Sequence, residues 1–89
     1  FAMASPEQKA QVKQMLVDQL HLRVEPGEIE DEAPLFGDDG LGLDSVDAIE
    51  LVSGLEQRFG VTFAGEDEAR QVLVSVDGLT EYLVSRGAL

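Results

Sequence analysis

The amino-acid sequence predicts an all-α fold, a small four-helix bundle made of three main helices and one short helix. Apolar residues recur at helical spacing in three separate segments, and a residue suited to capping a helix precedes each of them. The length of 89 residues allows one domain with one small core and little room for a deep cavity. We therefore expect one domain over residues 5–89, with residues 1–4 as the remnant of an expression tag.

The first helix is predicted to begin directly after Ser5, which suits the N-cap, with Gln8 placed as a capping box requires. His21 projects away from the apolar face of this helix, so we interpret it as a solvated surface residue rather than a catalytic one. The pair Pro26-Gly27 is expected to end the segment. The residues predicted on the apolar face are Val12, Met15, Leu16 and Leu20.

Residues 23–43 form a long connection that is rich in acids and glycines. With Gly40 as the required glycine of a calcium loop, Leu35 stands at the first ligand position, so the calcium pattern fails. Gly40 and Gly42 also lack the preceding strand and the third glycine of a dinucleotide site. We therefore expect no metal or nucleotide here. We expect a loop that packs against the helices through its apolar residues, which are Ile29, Leu35, Phe36, Leu41 and Leu43.

The second helix is predicted over Ser45–Phe59, with Asp44 as its N-cap and Gly60 at its end. Two of its apolar side chains, Val46 and Ile49, project from the side opposite the core and stand among acids. Isolated exposed apolar residues are ordinary in proteins, but a small apolar patch ringed by acids is also typical of a transient docking site. The residues predicted on the core face are Ala48, Leu51, Val52, Leu55 and Phe59.

The C-terminal part of the sequence predicts one extended segment and two helices. Residues 61–63 are predicted to be extended, and a short helix is predicted from Glu66 to Val72. Residues 72–76 have the composition of a strand, but a lone strand has no pairing partner, so we predict a turn. Ser75 is then expected to cap the last helix, whose apolar face holds Val76, Leu79 and Leu83, with Tyr82 beside them.

The net charge of −12 is the strongest signal in the composition, with 18 acids against 6 basic residues. Such a charge disfavours nucleic acid and anionic membranes as partners and favours basic protein surfaces. The absence of cysteine excludes disulfides, thiolate metal sites and cysteine nucleophiles. No apolar run reaches the roughly 20 residues of a membrane span, and we expect a monomeric cytoplasmic protein.

Ser45 is the residue on which the functional prediction depends. It stands at the start of a helix, where unpaired backbone N–H groups and the helix dipole favour a phosphate. The single histidine lies on another helix, and Leu43 and Asp47 replace the glycines of the G-x-S-x-G elbow. We therefore predict no catalytic residue, and a serine that another enzyme modifies. Asp44 would repel an attached phosphate by about 0.7 kcal/mol at about 6 Å in water, so the phosphate is expected to face the solvent.

Three runs of sequence around Ser45 support a resemblance to a known family: Gly42-Leu43-Asp44-Ser45-Val46-Asp47, Glu50-Leu51-Val52 and Leu55-Glu56-x-x-Phe59. Together with the order of elements along most of the chain, they resemble the phosphopantetheine attachment region of acyl carrier proteins. The resemblance implies a 4′-phosphopantetheine arm on Ser45, which a phosphopantetheinyl transferase installs from coenzyme A and whose thiol holds an acyl group as a thioester. It also implies that acyl-transfer and condensing enzymes with basic patches dock at Asp44, Val46, Asp47, Ile49, Glu50 and Glu56.

Departures from the family pattern favour a specialised pathway. Gln57 and Arg58 stand where fatty-acid carriers often have acids, and Ser53 stands where many have methionine. Gly54 inside the helix costs about 1 kcal/mol against alanine. The prediction is thus a carrier for fatty-acid or specialised, polyketide-like biosynthesis. Two alternatives stay open: a peptidyl or D-alanyl carrier, and an acidic helical adaptor without a prosthetic group.

Overall fold

Four α-helices make up the fold, which a computed structural model describes over residues 4–36 and 40–89, apart from the Glu66 side chain. The helices are α1 (Pro6–Leu20), α2 (Ser45–Phe59), α3 (Glu66–Val72) and α4 (Val76–Ser85), and one 3-10 turn covers Pro26–Glu28. α1 packs against both α2 and α4, and α3 packs against α4. The predicted bundle is confirmed, and the described ranges contain no β-strand. Residues 1–3 of the predicted tag remnant lie outside these ranges.

α1 begins at the predicted capping box. The Ser5 hydroxyl accepts the Gln8 N–H at 3.1 Å, and the Gln8 side chain accepts the Ser5 N–H at 2.9 Å. These two bonds satisfy backbone donors that the first turn of a helix leaves unpaired. The predicted apolar face is confirmed, because all of its members are buried: Val12, Met15, Leu16 and Leu20.

α1 ends earlier than predicted. His21, which is exposed as expected, adopts the left-handed conformation with φ 53°, and its backbone N–H donates to the Val17 carbonyl oxygen. This local closure stops the helix at Leu20. The predicted stop at Pro26-Gly27 is wrong, since those residues lie in the separate 3-10 turn.

The connection between α1 and α2 packs against the helices, as its apolar residues predict. The Leu35 N–H donates to the Val74 carbonyl oxygen at 2.9 Å, and the Leu35 carbonyl oxygen accepts the Leu43 N–H at 3.2 Å. An isolated parallel bridge also joins Phe36 to Leu43. The loop that leads to Ser45 is therefore tied to the turn between α3 and α4. Its buried residues are Ile29, Leu35 and Leu43.

α2 has the two faces that the sequence predicts. Leu51 and Leu55 are fully buried, whereas Val46 and Ile49 are 64% and 70% exposed. The helix ends at Gly60, as predicted, and this glycine adopts φ 68°, a conformation that costs glycine little. The other residues predicted on the core face are half-buried, namely Ala48, Val52 and Phe59.

Gly54 marks a close approach between α1 and α2. A Cβ at this position would stand 2.5 Å from Cδ of Gln19. The Gln19 side-chain amide donates to the Glu50 carbonyl oxygen at 3.2 Å. The glycine therefore makes room for the Gln19 side chain, which joins the two helices. The lower helix propensity of glycine, relative to alanine, is the cost of this close contact.

The C-terminal elements have the predicted bounds. Residues 61–63 belong to no helix, and residues 73–74 form the predicted turn between α3 and α4. The Ser75 hydroxyl accepts the Gly78 N–H at 3.1 Å and caps α4 as expected. α4 packs into the core through its buried residues, which are Val76, Leu79, Thr80 and Leu83.

Two lysines and two aspartates fasten α1 to the loop and to α4. Lys9 Nζ lies 2.8 Å from Asp77 Oδ1 and 3.6 Å from Asp31 Oδ2, and Lys13 Nζ lies 2.6 Å from Asp31 Oδ1. The Asp77 N–H also donates to the Asp31 carbonyl oxygen at 3.0 Å. Hydrogen bonding to Lys13 lowers the pKa of Asp31, and hydrogen bonding to Asp77 raises the pKa of Lys9. This cluster holds the start of α4 against the loop.

Candidate functional site

Ser45 is the first residue of α2, and its side chain is exposed. The residue before it, Asp44, is extended, with φ −116° and ψ −172°, so the helical conformation starts at Ser45. The single histidine of the chain, His21, is exposed at the C-terminal end of α1 rather than on α2. The Ser45 hydroxyl is therefore accessible from the solvent at a helix start.

Two carboxylates flank Ser45 and are bonded to the backbone of the helix start. Asp44 Oδ1 accepts the Asp47 N–H at 3.0 Å, and Asp47 Oδ2 accepts the Asp44 N–H at 3.1 Å. This reciprocal pair is a capping box, in which Asp47 replaces the more usual glutamate or glutamine. The prediction of Asp44 as the N-cap is confirmed. The structural role of Asp47 was not predicted, although an acid three residues after an N-cap is the signal for it.

The other predicted docking residues lie on the exposed surface of α2. Val46 and Ile49 are the apolar members, and Glu50 and Glu56 are exposed as well. Glu50 is one helical turn from Val46, so its carboxylate stands next to the apolar side chains. The acid-ringed apolar patch thus exists as a surface, and its contact with a partner stays a prediction.

A groove of about 970 Å³ opens beside Ser45, between α2 and α3, and we name it the Ser45 groove. Ser45, Ile49, Val52 and Glu56 form its α2 side at successive turns. This space is an open groove between helices rather than a deep cavity inside the core, so it is compatible with the expectation of little room for a deep cavity. The apolar side chains that line it are Pro34, Phe36, Leu43, Ala48, Ile49, Val52, Phe63, Ala69, Leu73 and Val74.

The groove residues outside α2 were not predicted from the sequence. Phe36 belongs to the loop before Ser45, Phe63 follows the end of α2, and Val74 lies in the turn after α3. No helical or strand period links them, so the sequence carries no signal for their meeting. Val74 is 55% exposed and stands on the groove side that faces α2.

An exposed hydroxyl at one end of an apolar groove suits the attachment of a prosthetic group. Ser45 is accessible to a modifying enzyme, and the groove offers an apolar surface to whatever the attached group carries. In the part of the chain that the structure describes, no three histidine or acidic side chains are placed to hold a metal ion. Across the same residues, no helix combines the length and apolarity needed to cross a bilayer.

Comparisons with known proteins agree with this geometry. Residues 10–83 match the family described as "Phosphopantetheine attachment site". Acyl carrier proteins from Bradyrhizobium sp. (strain ORS 278), Rhodopseudomonas palustris (strain TIE-1) and Nitrobacter hamburgensis are each 38% identical to this chain over 72 residues. The aligned residues cover 81% of this chain and 84% of each relative.

The family implies 4′-phosphopantetheine as the prosthetic group, and the residues present fit it, because an exposed serine opens the helix beside an apolar groove. Phosphopantetheinyl transferases and acyl-transfer enzymes are the partners of such carriers. The cofactor prediction is confirmed by the family, and so is the prediction that the chain is not an enzyme. This chain therefore belongs to the acyl carrier protein family, whose members are phosphopantetheine-binding carriers without catalytic activity of their own.

Proposed function

We propose that this carrier holds acyl groups through Ser45 and delivers them to partner enzymes of a fatty-acid or specialised biosynthetic pathway. The observation that carries the proposal is the exposed Ser45 at the head of α2 and at one end of the Ser45 groove. When bound, the phosphopantetheine arm supplies the thiol that holds the acyl group as a thioester, which agrees with the absence of cysteine. The chain itself presents the hydroxyl, shelters the cargo and binds the partners.

The carboxylates at the helix start support an attachment that faces outward. Asp44 and Asp47 are both held against the first turn of α2 by their reciprocal bonds. A phosphate on Ser45 would meet about 0.7 kcal/mol of repulsion from a carboxylate about 6 Å away in water. This offsets the roughly 0.3–1 kcal/mol that the helix dipole contributes. We expect the phosphate to point toward the solvent, where a partner can reach the arm.

The Ser45 groove is proposed as the shelter for the acyl chain between encounters with partners. Its lining is mainly apolar, from the loop, α2 and α3. Each methylene removed from water contributes about 0.8 kcal/mol, so an acyl chain gains by entering the groove rather than trailing in solvent. Ser45 lies at one end of the groove, so the arm attached there brings its acyl chain to that end.

The outer surface of α2 is proposed as the docking surface for partner enzymes. Val46 and Ile49 supply apolar contact, and the carboxylates of Glu50 and Glu56 attract a basic patch on the partner. Val74 extends the apolar surface across the groove. The net charge of −12 accelerates the encounter, and the small apolar area allows rapid release. Asp44 and Asp47 add negative charge beside Ser45.

A specialised pathway is favoured over ordinary fatty-acid synthesis. Gln57 and Arg58 are both exposed, and they stand where fatty-acid carriers often have acids. Arg58 also lies in the last turn of α2, where a cation interacts favourably with the helix dipole.

A peptidyl or D-alanyl carrier is the second candidate function. The chemical identity of the group loaded on the arm distinguishes it from the first. The family match disfavours an adaptor without a prosthetic group.

The test is the intact mass of the protein after incubation with coenzyme A and a phosphopantetheinyl transferase of broad specificity. We expect a gain of one phosphopantetheine, which Ser45→Ala abolishes. Ser53→Ala is the matched control, because Ser53 is another exposed serine of α2 that lines the same groove. This control should gain the same mass as the unchanged protein. A folded protein that gains no mass, or a gain that survives Ser45→Ala, would contradict the proposal.

A further inference from the structure

The Ser45 groove has a mouth and a far end. From Ser45 to Glu56 its α2 side rises about 16 Å, at 1.5 Å per residue. Phe36 lines the mouth, because its bridge to Leu43 places it next to the residues that lead into Ser45. Phe63 follows the C-terminal end of α2 and also lines the groove, so we infer that it lies at the end away from Ser45.

Tyr82 of α4 holds the Phe63 ring in place. The two ring centroids are 5.5 Å apart at an interplanar angle of 17°, which is a stacked arrangement. The Arg86 guanidinium lies 5.0 Å from the centroid of the Tyr82 ring, and the Tyr82 hydroxyl lies 3.4 Å from Oε1 of Glu68. Side chains from α3 and from the end of α4 thus fix the ring on which Phe63 is stacked.

The backbone on both sides of Phe63 is held by the same residues. Glu68 Oε2 accepts the Ala64 N–H at 3.3 Å, and the Thr62 carbonyl oxygen accepts the Tyr82 hydroxyl at 3.5 Å. These two bonds restrain the residues on either side of Phe63. A stacked ring between two tied residues therefore presents a fixed wall to a ligand that enters from Ser45.

We propose that Phe63 is the end wall of the Ser45 groove and sets the length of acyl chain that the protein shelters, with Tyr82 as its positioning residue. The inference rests on the proposed function, because the cargo enters from Ser45. While the chain ends before Phe63, each added methylene is buried in the groove. Each one therefore increases the equilibrium constant for entering the groove about fourfold. A longer chain has to bend back into water or displace the ring. The stabilisation from burying the acyl chain therefore increases up to a definite chain length and is constant for longer chains.

The test loads the protein with saturated straight-chain acyl groups, each one ethylene unit longer than the last, and measures the thermal midpoint of unfolding. The midpoint of the unchanged protein should rise with chain length and then level off. Phe63→Ala should move the levelling point to longer chains, and Phe63→Leu should move it less. Phe59→Ala is the matched control: it removes an identical ring that packs against the core without lining the groove, and it should leave the levelling point unchanged.

A second readout comes from Tyr82, which is the only tyrosine of a chain without tryptophan. Its fluorescence should change when the acyl chain is long enough to reach Phe63 and stay constant for shorter chains. Tyr82→Phe keeps the stacked ring but loses the hydroxyl that bonds to the Thr62 carbonyl oxygen, so it should move the levelling point only slightly. Tyr82→Ala removes the ring as well and should move the levelling point as Phe63→Ala does.

Two outcomes overturn the inference in different ways. If Phe63→Ala loads, folds and levels off at the same chain length as the unchanged protein, Phe63 is not the end wall and the proposed function stands. If the protein gains no phosphopantetheine on Ser45, the proposed function fails first and the inference fails with it.

Discussion

Asp44 and Asp47 exchange two hydrogen bonds across the first turn of α2, with Ser45 between them in the sequence. These bonds satisfy backbone N–H groups and fix the conformation in which the chain enters the helix. Both residues are also proposed to face partner enzymes. The same carboxylates therefore have a role in folding that experiments have to separate from any role in recognition.

Asp44→Ala and Asp44→Asn separate these two roles. The alanine variant loses the cap, so the free energy of unfolding should fall by about 1 kcal/mol. The asparagine variant retains an acceptor for the Asp47 N–H and should retain most of the stability, while the lost charge slows acyl transfer to a partner. Urea unfolding measures the first effect, and the transfer rate measures the second. An asparagine variant as unstable as the alanine one would show that charge, rather than the cap bond, stabilises the helix start.

Charge reversal on α2 tests the docking surface. Glu50→Lys combined with Glu56→Lys should slow transfer to a partner enzyme, because the attraction to its basic patch is lost. The defect should become smaller at high salt, since salt screens exposed charges, and circular dichroism should show unchanged helicity. Glu81→Lys on α4 is the control: this exposed acid does not line the Ser45 groove, and its reversal should affect transfer little. Equal rates for the double variant and the unchanged protein would remove this surface from the proposal.

Gly54 and Gln19 are expected to be energetically coupled. Gly54→Ala alone gains about 1 kcal/mol of helix propensity but pushes its Cβ to 2.5 Å from Gln19, so it should yield no stabilisation. In a Gln19→Ala background the obstructing atoms are gone, and the same substitution should stabilise the protein. A double-mutant cycle of unfolding free energies measures the coupling. Additive effects would mean that the contact with Gln19 does not explain the glycine.

The stability of the fold should depend on pH through Asp31. Its pKa lies below the ordinary value of 3.8 because Lys13 hydrogen-bonds to the carboxylate. The Asp31 contribution is therefore present above pH 3.8 and is lost as the pH falls through the folded-state pKa. Asp31→Asn should be less stable than the unchanged protein at neutral pH, and the difference should shrink in acid.

The contribution of Lys9 to stability should be lost at alkaline rather than acid pH. Its pKa is raised above 10.5 by the hydrogen bond to Asp77, so its contribution is complete below that pH and is lost as the pH rises through the folded-state pKa. Lys9→Gln should accordingly differ most from the unchanged protein at neutral pH. Glu32→Gln is a control for both variants, because Glu32 forms no ion pair within the described ranges.

A pH profile of the unfolding free energy for Asp31→Asn that is parallel to that of the unchanged protein would exclude the cluster as a pH-dependent element.

Local patterns predicted most of the helical structure correctly, for a physical reason. The caps at Ser5, Asp44 and Ser75 each bond to a backbone N–H three residues away, so neighbouring residues suffice to indicate the helix starts. The end of α1 was missed because His21 adopts a left-handed conformation that usually falls to glycine or asparagine. The Pro26-Gly27 pair carries no information about the conformation of His21.

By itself, the sequence determined the helices, the exposure of Val46 and Ile49, and the position of Ser45 at a helix start. These features depend on residues within about one turn of one another. Only the tertiary structure decided the Ser45 groove and the stacking of Phe63 on Tyr82. Their residues are far apart in the chain and meet only when α1 packs against α2 and α4, and α3 packs against α4. No periodicity within a single segment encodes such a meeting.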